Sequence, residues 1–175
     1  MNTKVITLYR GITPGTLGLD VHGDYGETWT RDFDYAKCYA RLPESYVLEA
    51  ILSPKARQLV LLTVDDEFGD YVEENVQRLA ELMDYPGLYD SLKSGRSHLW
   101  EVWDEEWTEA VIKAGYDSIF TSGFDGPEEY VLNSCMLQFV RYYRVLPGGQ
   151  TKAYPIEPGT LEQLGYAVGL GTTAV

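Results

Sequence analysis

Histidine and cysteine are nearly absent from this chain, two of each in 175 residues, and that scarcity removes several kinds of chemistry. Cys38 and Cys135 cannot build a disulfide framework, and neither has CxxC or Cys/His metal spacing. His22 and His98 have no paired spacing for zinc, so no metal is expected. Both cysteines fall in segments that read as helix and strand, which predicts reduced core residues; the histidines read as loop or surface positions. There is no P-loop, no GxGxxG after a strand, and no local signature of a Ser or Cys nucleophile with a His base. No apolar run approaches membrane-spanning length, and residues 1–7 lack the apolar stretch of a signal peptide. The expectation is a cytoplasmic protein with no membrane partner.

Positive charge is also short, with 14 Lys and Arg against 27 Asp and Glu and a formal net charge of -13. Phosphate binding relies on cationic neutralisation, so direct contact with nucleic acid or anionic lipid is disfavoured. A protein, a small molecule or a basic partner is the easier target, unless the charge serves only solubility. Tyrosine, by contrast, is abundant, with 14 copies. A chain of this length fits one domain that buries roughly two-thirds of its unfolded surface.

Residues 4–10 have the β-branched and aromatic content of a strand, ended by Gly11, and a Gly/Pro/Thr-rich loop follows over 13–26. Residues 27–30 form a second strand candidate, and Asp32 caps a helix over 33–41. Strands are expected at 45–52 and 58–64, amphipathic helices at 71–83 and 99–114, and further strands at 117–121, 129–133 and 137–145. After Pro147 the chain becomes rich in Gly, Thr and Pro. The organisation is therefore a domain over 1–146 and a tail over 147–175, wrapped on the domain or partly disordered. Strands first, helices inserted, then more strands is an α+β order, against a doubly wound parallel sheet.

Three clusters carry the candidate chemistry. Tyr9-Arg10-Gly11 ends the first strand. Arg offers a planar fork of donors for phosphate or carboxylate, and Gly lets a ligand approach the backbone. An isolated strand-end Arg is more often a surface salt-bridge former. In Thr28-Trp29-Thr30 the two hydroxyls share a face and can hold a carboxylate, while Trp29 packs into the core from the other face. Tyr35 and Tyr39, four apart on the following helix, present rings that can stack on a flat heterocycle or simply pack. After the turn at Gly126-Pro127, Glu128 and Glu129 point to opposite faces, so one of them faces a cleft. The bland alternative is a solvated acidic turn.

Taken in order, these clusters resemble the ADP-ribosyltransferase family, in its arginine–serine–glutamate, toxin-like branch. Small bacterial and phage members are the most similar. The likeness rests on Tyr9-Arg10-Gly11, on Trp29-Thr30 with Ala36-Lys37-Cys38-Tyr39, and on Gly115-Tyr116-Asp117 with Glu129-Tyr130-Val131. It spans about residues 7–145, through short and degenerate motifs. The resemblance implies a split pair of antiparallel sheets with NAD as co-substrate in the cleft between them, helices packed to one side, and a protein side chain as acceptor. Arg10, with Tyr9 and Gly11, would bind the NAD phosphates. Thr28 or Thr30 would brace the catalytic carboxylate, and Trp29, Tyr35 and Tyr39 would line the cofactor site. Glu129 would contact the nicotinamide ribose, with Glu128 as the neighbouring candidate.

Two departures bear on this. Arginine-modifying members carry Glu or Gln two residues before the catalytic Glu, where this chain has Pro127 before Glu129 and Gly126 before Glu128. The usual Ser-Thr-Ser is replaced by Thr-Trp-Thr. Two other functions stay open: an NAD glycohydrolase on the same fold, and a non-catalytic acidic binding protein that uses Asp65-Asp66-Glu67, Glu73-Glu74 and Asp104-Glu105-Glu106.

Overall fold

The computed structural model describes residues 5–13, 27–63, 70–122 and 126–166. Their strands are β1 (Ile6–Ile12), β2 (Glu27–Thr30), β3 (Tyr46–Leu52), β4 (Gln58–Val60), β5 (Ser118–Ser122), β6 (Pro127–Val131), β7 (Leu137–Val145) and β8 (Thr151–Pro155). The helices are α1 (Phe33–Cys38), α2 (Glu73–Leu82), α3 (Leu88–Lys93), α4 (Leu99–Val102), α5 (Glu105–Lys113) and α6 (Thr160–Gln163). The class is α+β. Hydrogen bonds join all eight strands into one mixed sheet in the order β4-β5-β6-β2-β1-β3-β7-β8.

Sequence reading anticipates two small antiparallel sheets, and here the strands differ. β2 pairs with both β1 and β6, so backbone hydrogen bonding continues across the middle. The joint is narrow, with the single register pair Tyr9–Thr30 between β1 and β2. β4 and β5 run parallel, because the segment between them carries four helices back across the molecule. The other neighbouring strands are antiparallel.

Alternation along these strands sorts the side chains onto two faces. Tyr9, Thr28, Thr30, Glu128 and Tyr130 share one face through the pairs Tyr9–Thr30, Thr30–Glu128 and Thr28–Tyr130. Helices cover this face. Val76, Leu79, Leu88 and Val111 pack on Leu59, Ile119 and Tyr130, while Ala36 and Ala40 pack near Val47 and Tyr9. Leu8, Trp29, Leu48 and Val131 belong to the other face, where they meet Leu137, Tyr166 and the apolar residues of α6. Each half of the sheet thus buries most of its apolar surface on a different side.

Local chemistry explains several element ends. Asp32 caps α1 by accepting from the Tyr35 amide at 2.9 Å, as its sequence position predicts. The expected helix over 99–114 is interrupted. Trp103 turns into the core, and Asp104 starts a new helix by accepting from the Trp107 amide at 3.0 Å. Gly115 adopts φ 86°, the left-handed conformation that ends α5. Asp117 then accepts from the Arg57 amide at 2.8 Å and from Asn133 Nδ2 at 2.8 Å, tying the entry of β4 to β5 and the end of β6.

The segment after Pro147 supplies β8 and α6. Tyr154 stacks on Tyr142 with ring centroids 5.1 Å apart, and Tyr166 is 4 % exposed. Residues 167–175, the loop positions 14–26 with His22, and Val64 with Asp65-Asp66-Glu67 lie outside the described residues. Both cysteines are free and exposed, which corrects the core assignment: Cys38 ends α1 on its outer side, and Cys135 sits in a 3-10 turn over Ser134–Met136. No helix among the described residues is long and apolar enough to cross a membrane.

Candidate active site

Three adjacent strands bring Arg10, Trp29 and Glu129 to the face opposite α1. Trp29 and Glu129 are direct partners across β2 and β6, and the register that pairs Tyr9 with Thr30 sets Arg10 next to Trp29. Arg10 Nη1 donates to the Thr28 carbonyl at 3.5 Å. Trp29 Nε1 donates to Glu27 Oε2 at 3.0 Å, and the Tyr166 hydroxyl donates to the same oxygen. An open groove of about 530 Å³, lined by Ile156, Glu157, Leu161, Glu162 and Tyr166 among others, adjoins this row at Tyr166.

Glu129 is the most constrained of the group, with 0 % exposure. Gln58 Nε2 donates to both carboxylate oxygens at 2.7 Å, and Arg31 Nη2 donates to Oε2 at 3.1 Å. Arg31 lies over the Phe120 ring, its Cζ 3.7 Å from the centroid, and its side chain is 20 % exposed. Burial pushes the Glu129 carboxyl above the usual carboxylate range, while Gln58, Ser118 and Arg31 pull it back down. The Ser118 hydroxyl is near enough to favour the charged form but lacks ordinary hydrogen-bond geometry.

The helical face holds a separate polar cluster. Glu128 is 8 % exposed and accepts from the Tyr35 hydroxyl at 3.1 Å. Tyr35 and Tyr39 share a hydroxyl hydrogen bond of 2.8 Å, and their rings meet edge to face. Burial, then Tyr39 and Glu128, raise the Tyr35 pKa, so the phenol stays neutral. Tyr9 packs edge to face on Phe33 at 5.4 Å. Its neighbour Gly11 faces α1, where a Cβ would lie 1.9 Å from the Ala36 carbonyl oxygen.

The sequence-derived residues therefore divide. Arg10, Trp29 and Glu129 come together, whereas Tyr9, Gly11, Tyr35, Tyr39 and Glu128 lie on the other side of the sheet. For Gly11 the close approach to backbone is made by a helix rather than a ligand. The threonines are corrected as well, since neither braces Glu129. Thr30 Oγ1 accepts from the Asp32 amide at 3.1 Å, and the Thr28 hydroxyl, buried on the helical face, makes no hydrogen bond among the described residues. A one-residue step along a strand reverses the side, which is why a Thr-Trp-Thr triplet cannot hold Glu129 through its hydroxyls.

Arg31 and Gln58 take that role, and sequence reasoning missed both. Arg31 had a signal: continuing the alternation of Glu27 and Trp29 places it on the Glu129 face. Gln58 had none, because its neighbourhood depends on the parallel pairing of β4 with β5. Among the described residues no group of three or more His, Cys, Asp or Glu side chains is placed to hold a metal ion. Comparison with protein-family models, with curated proteins and with solved structures finds no match.

Proposed function

We propose that this chain is a mono-ADP-ribosyltransferase that cleaves the nicotinamide–ribose bond of NAD and passes ADP-ribose to an acceptor. The observation that supports it most is the row formed by Arg10, Trp29 and Glu129 on one face of β1, β2 and β6. The Arg10 guanidinium, on the same face as Trp29 and Glu129, offers a planar fork of donors that suits a diphosphate. Glu129, oriented by two donors, suits the charge that develops at the ribose. As the C1′–N bond breaks, its electron pair leaves with nicotinamide, which departs neutral, and no general acid is needed. The oxocarbenium character left on the ribose is stabilised by the carboxylate. The acceptor's lone pair then forms the new bond at C1′, and its proton leaves to solvent.

Glu129 has no exposed surface, so this chemistry requires its cover to open when NAD binds. The residue two positions before it, on the same face, is Pro127, so β6 supplies no second carboxylate on that face to orient an arginine acceptor. That favours another nucleophile, with water included; water as acceptor makes the same site an NAD glycohydrolase. The acidic residues behind the binding-protein alternative also have a local role. Glu73 and Glu74 occupy the first turn of α2, and Asp104, Glu105 and Glu106 start α5, where carboxylates favour the helix dipole.

Glu129→Gln tests the assignment. It keeps shape and hydrogen-bonding reach but loses charge, so NAD turnover should fall roughly 100-fold or more, with NAD affinity changed far less. Glu128→Gln, altered on the other face, should retain turnover within a few-fold. Nicotinamide release measured with radiolabelled NAD, with and without a cell lysate as acceptor source, reads both variants. Parent-like cleavage by Glu129→Gln removes Glu129 from the chemistry, and loss of cleavage only in Glu128→Gln moves the site to the helical face.

A further inference from the structure

We propose that Arg31 is the positioning residue of this site: its guanidinium, stacked on Phe120, keeps the buried Glu129 carboxylate ionised and fixed for the ribose. The inference rests on the ADP-ribosyl-transfer reading and names a residue outside the motifs that suggested it.

A carboxylate with no exposed surface is strongly disfavoured unless paired and hydrogen-bonded. Among the described residues, β4, β5 and the chain leaving β2 bring polar or aromatic groups against Glu129. β4 contributes the neutral amide of Gln58, and β5 contributes the Ser118 hydroxyl and the Phe120 ring. The chain leaving β2 contributes Arg31, the charged group that acts on it. Gln58 meets both oxygens and sets the carboxylate plane, but an amide cannot neutralise it. Arg31 Nη2 donates to Oε2 at 3.1 Å, the oxygen it shares with Gln58.

The guanidinium supplies the opposite charge and the Gln58 amide sets the carboxylate plane, so charge and orientation come from different groups. The Arg31 Cζ lies 3.7 Å from the Phe120 ring centroid, a cation–π contact that supports the guanidinium beside the carboxylate. The side chain also reaches solvent at 20 % exposure, linking the buried carboxylate to the surface.

The test reads Glu129 directly and through turnover. In protein carrying 13C-labelled glutamate carboxyls, the Glu129 resonance is identified by its loss in Glu129→Gln. Arg31→Gln should move its titration to higher pH by about one to three units, the range for loss of an adjacent opposite charge. The acidic limb of kcat for NAD cleavage should shift the same way, with KM moving less. Arg31→Lys should fall between the two, because an ammonium restores charge but not the planar stack. It also serves if Arg31→Gln fails to fold. A Glu129 titration and pH profile in the Arg31 variants identical to those of the parent overturn the proposal. A parent protein that cleaves no NAD overturns the reading of the site instead. The carbon titration, recorded without NAD, then still decides whether Arg31 sets the charge of Glu129.

Discussion

At the scale of single residues, the neighbours Tyr9 and Arg10 have opposite duties. Tyr9 packs under α1 and Arg10 faces the row that contains Glu129. If Arg10 holds the NAD diphosphate, Arg10→Ala removes a charge-assisted contact worth about 1.5–3 kcal/mol, or roughly 10- to 150-fold in Kd. Arg10→Lys should recover part of this, since a point charge cannot make the planar two-point contact. Calorimetric NAD titrations of both variants check it, and parent-like affinity in both would take Arg10 out of the binding site. The same alternation separates Glu128 from Glu129, so two adjacent carboxylates with similar burial have unrelated partners.

At the scale of elements, α1 is held against the sheet by contact with Gly11. The Ala36 carbonyl oxygen occupies the space a side chain would need, 1.9 Å from an ideal Cβ. Gly11→Ala should push α1 outward and disturb the packing of Phe33 on Tyr9 and Tyr143. A destabilisation of about 1–3 kcal/mol, the usual range for overpacking, is expected from urea unfolding. An unchanged midpoint would mean that α1 shifts without cost. Because Gly11 and Arg10 face opposite sides, NAD affinity should change less than stability. The acidic helix starts illustrate the same scale, since Asp32 and Asp104 each accept the amide that would otherwise lack a partner.

For the whole molecule, the cost of burying Glu129 enters the pH dependence of stability. Its carboxyl is raised in the folded state, so the native protein holds this proton more tightly than the unfolded chain does. That contribution is fully present below the unfolded glutamate pKa, about 4.3, and is lost as pH rises through the higher folded value. Glu129→Gln does not titrate. The parent should therefore be most favoured relative to Glu129→Gln at low pH and lose ground toward neutrality. Urea unfolding of both proteins between about pH 4.5 and 7 measures the difference. A parent that gains relative stability over this range would show that Arg31 and Gln58 outweigh burial.

The sequence by itself determined the strand and helix content of most elements, because alternation, caps and glycine stops act over a few residues. It gave the α+β order, the Asp32 cap, and the opposite facing of Glu128 and Glu129. It also marked Arg10, Trp29 and Glu129, which share a face because residues two apart on a strand, and residues paired across strands, point the same way. Only the tertiary structure decided which strands adjoin. The pairing of β2 with β6 sets Trp29 beside Glu129, and the parallel pairing of β4 with β5 brings Gln58 to the same carboxylate. Cross-strand neighbours separated by dozens of residues leave no local pattern, so Gln58 could not be read in advance. The continuity of the sheet and the exposure of both cysteines were decided there too, since each depends on what packs where rather than on which residue follows which.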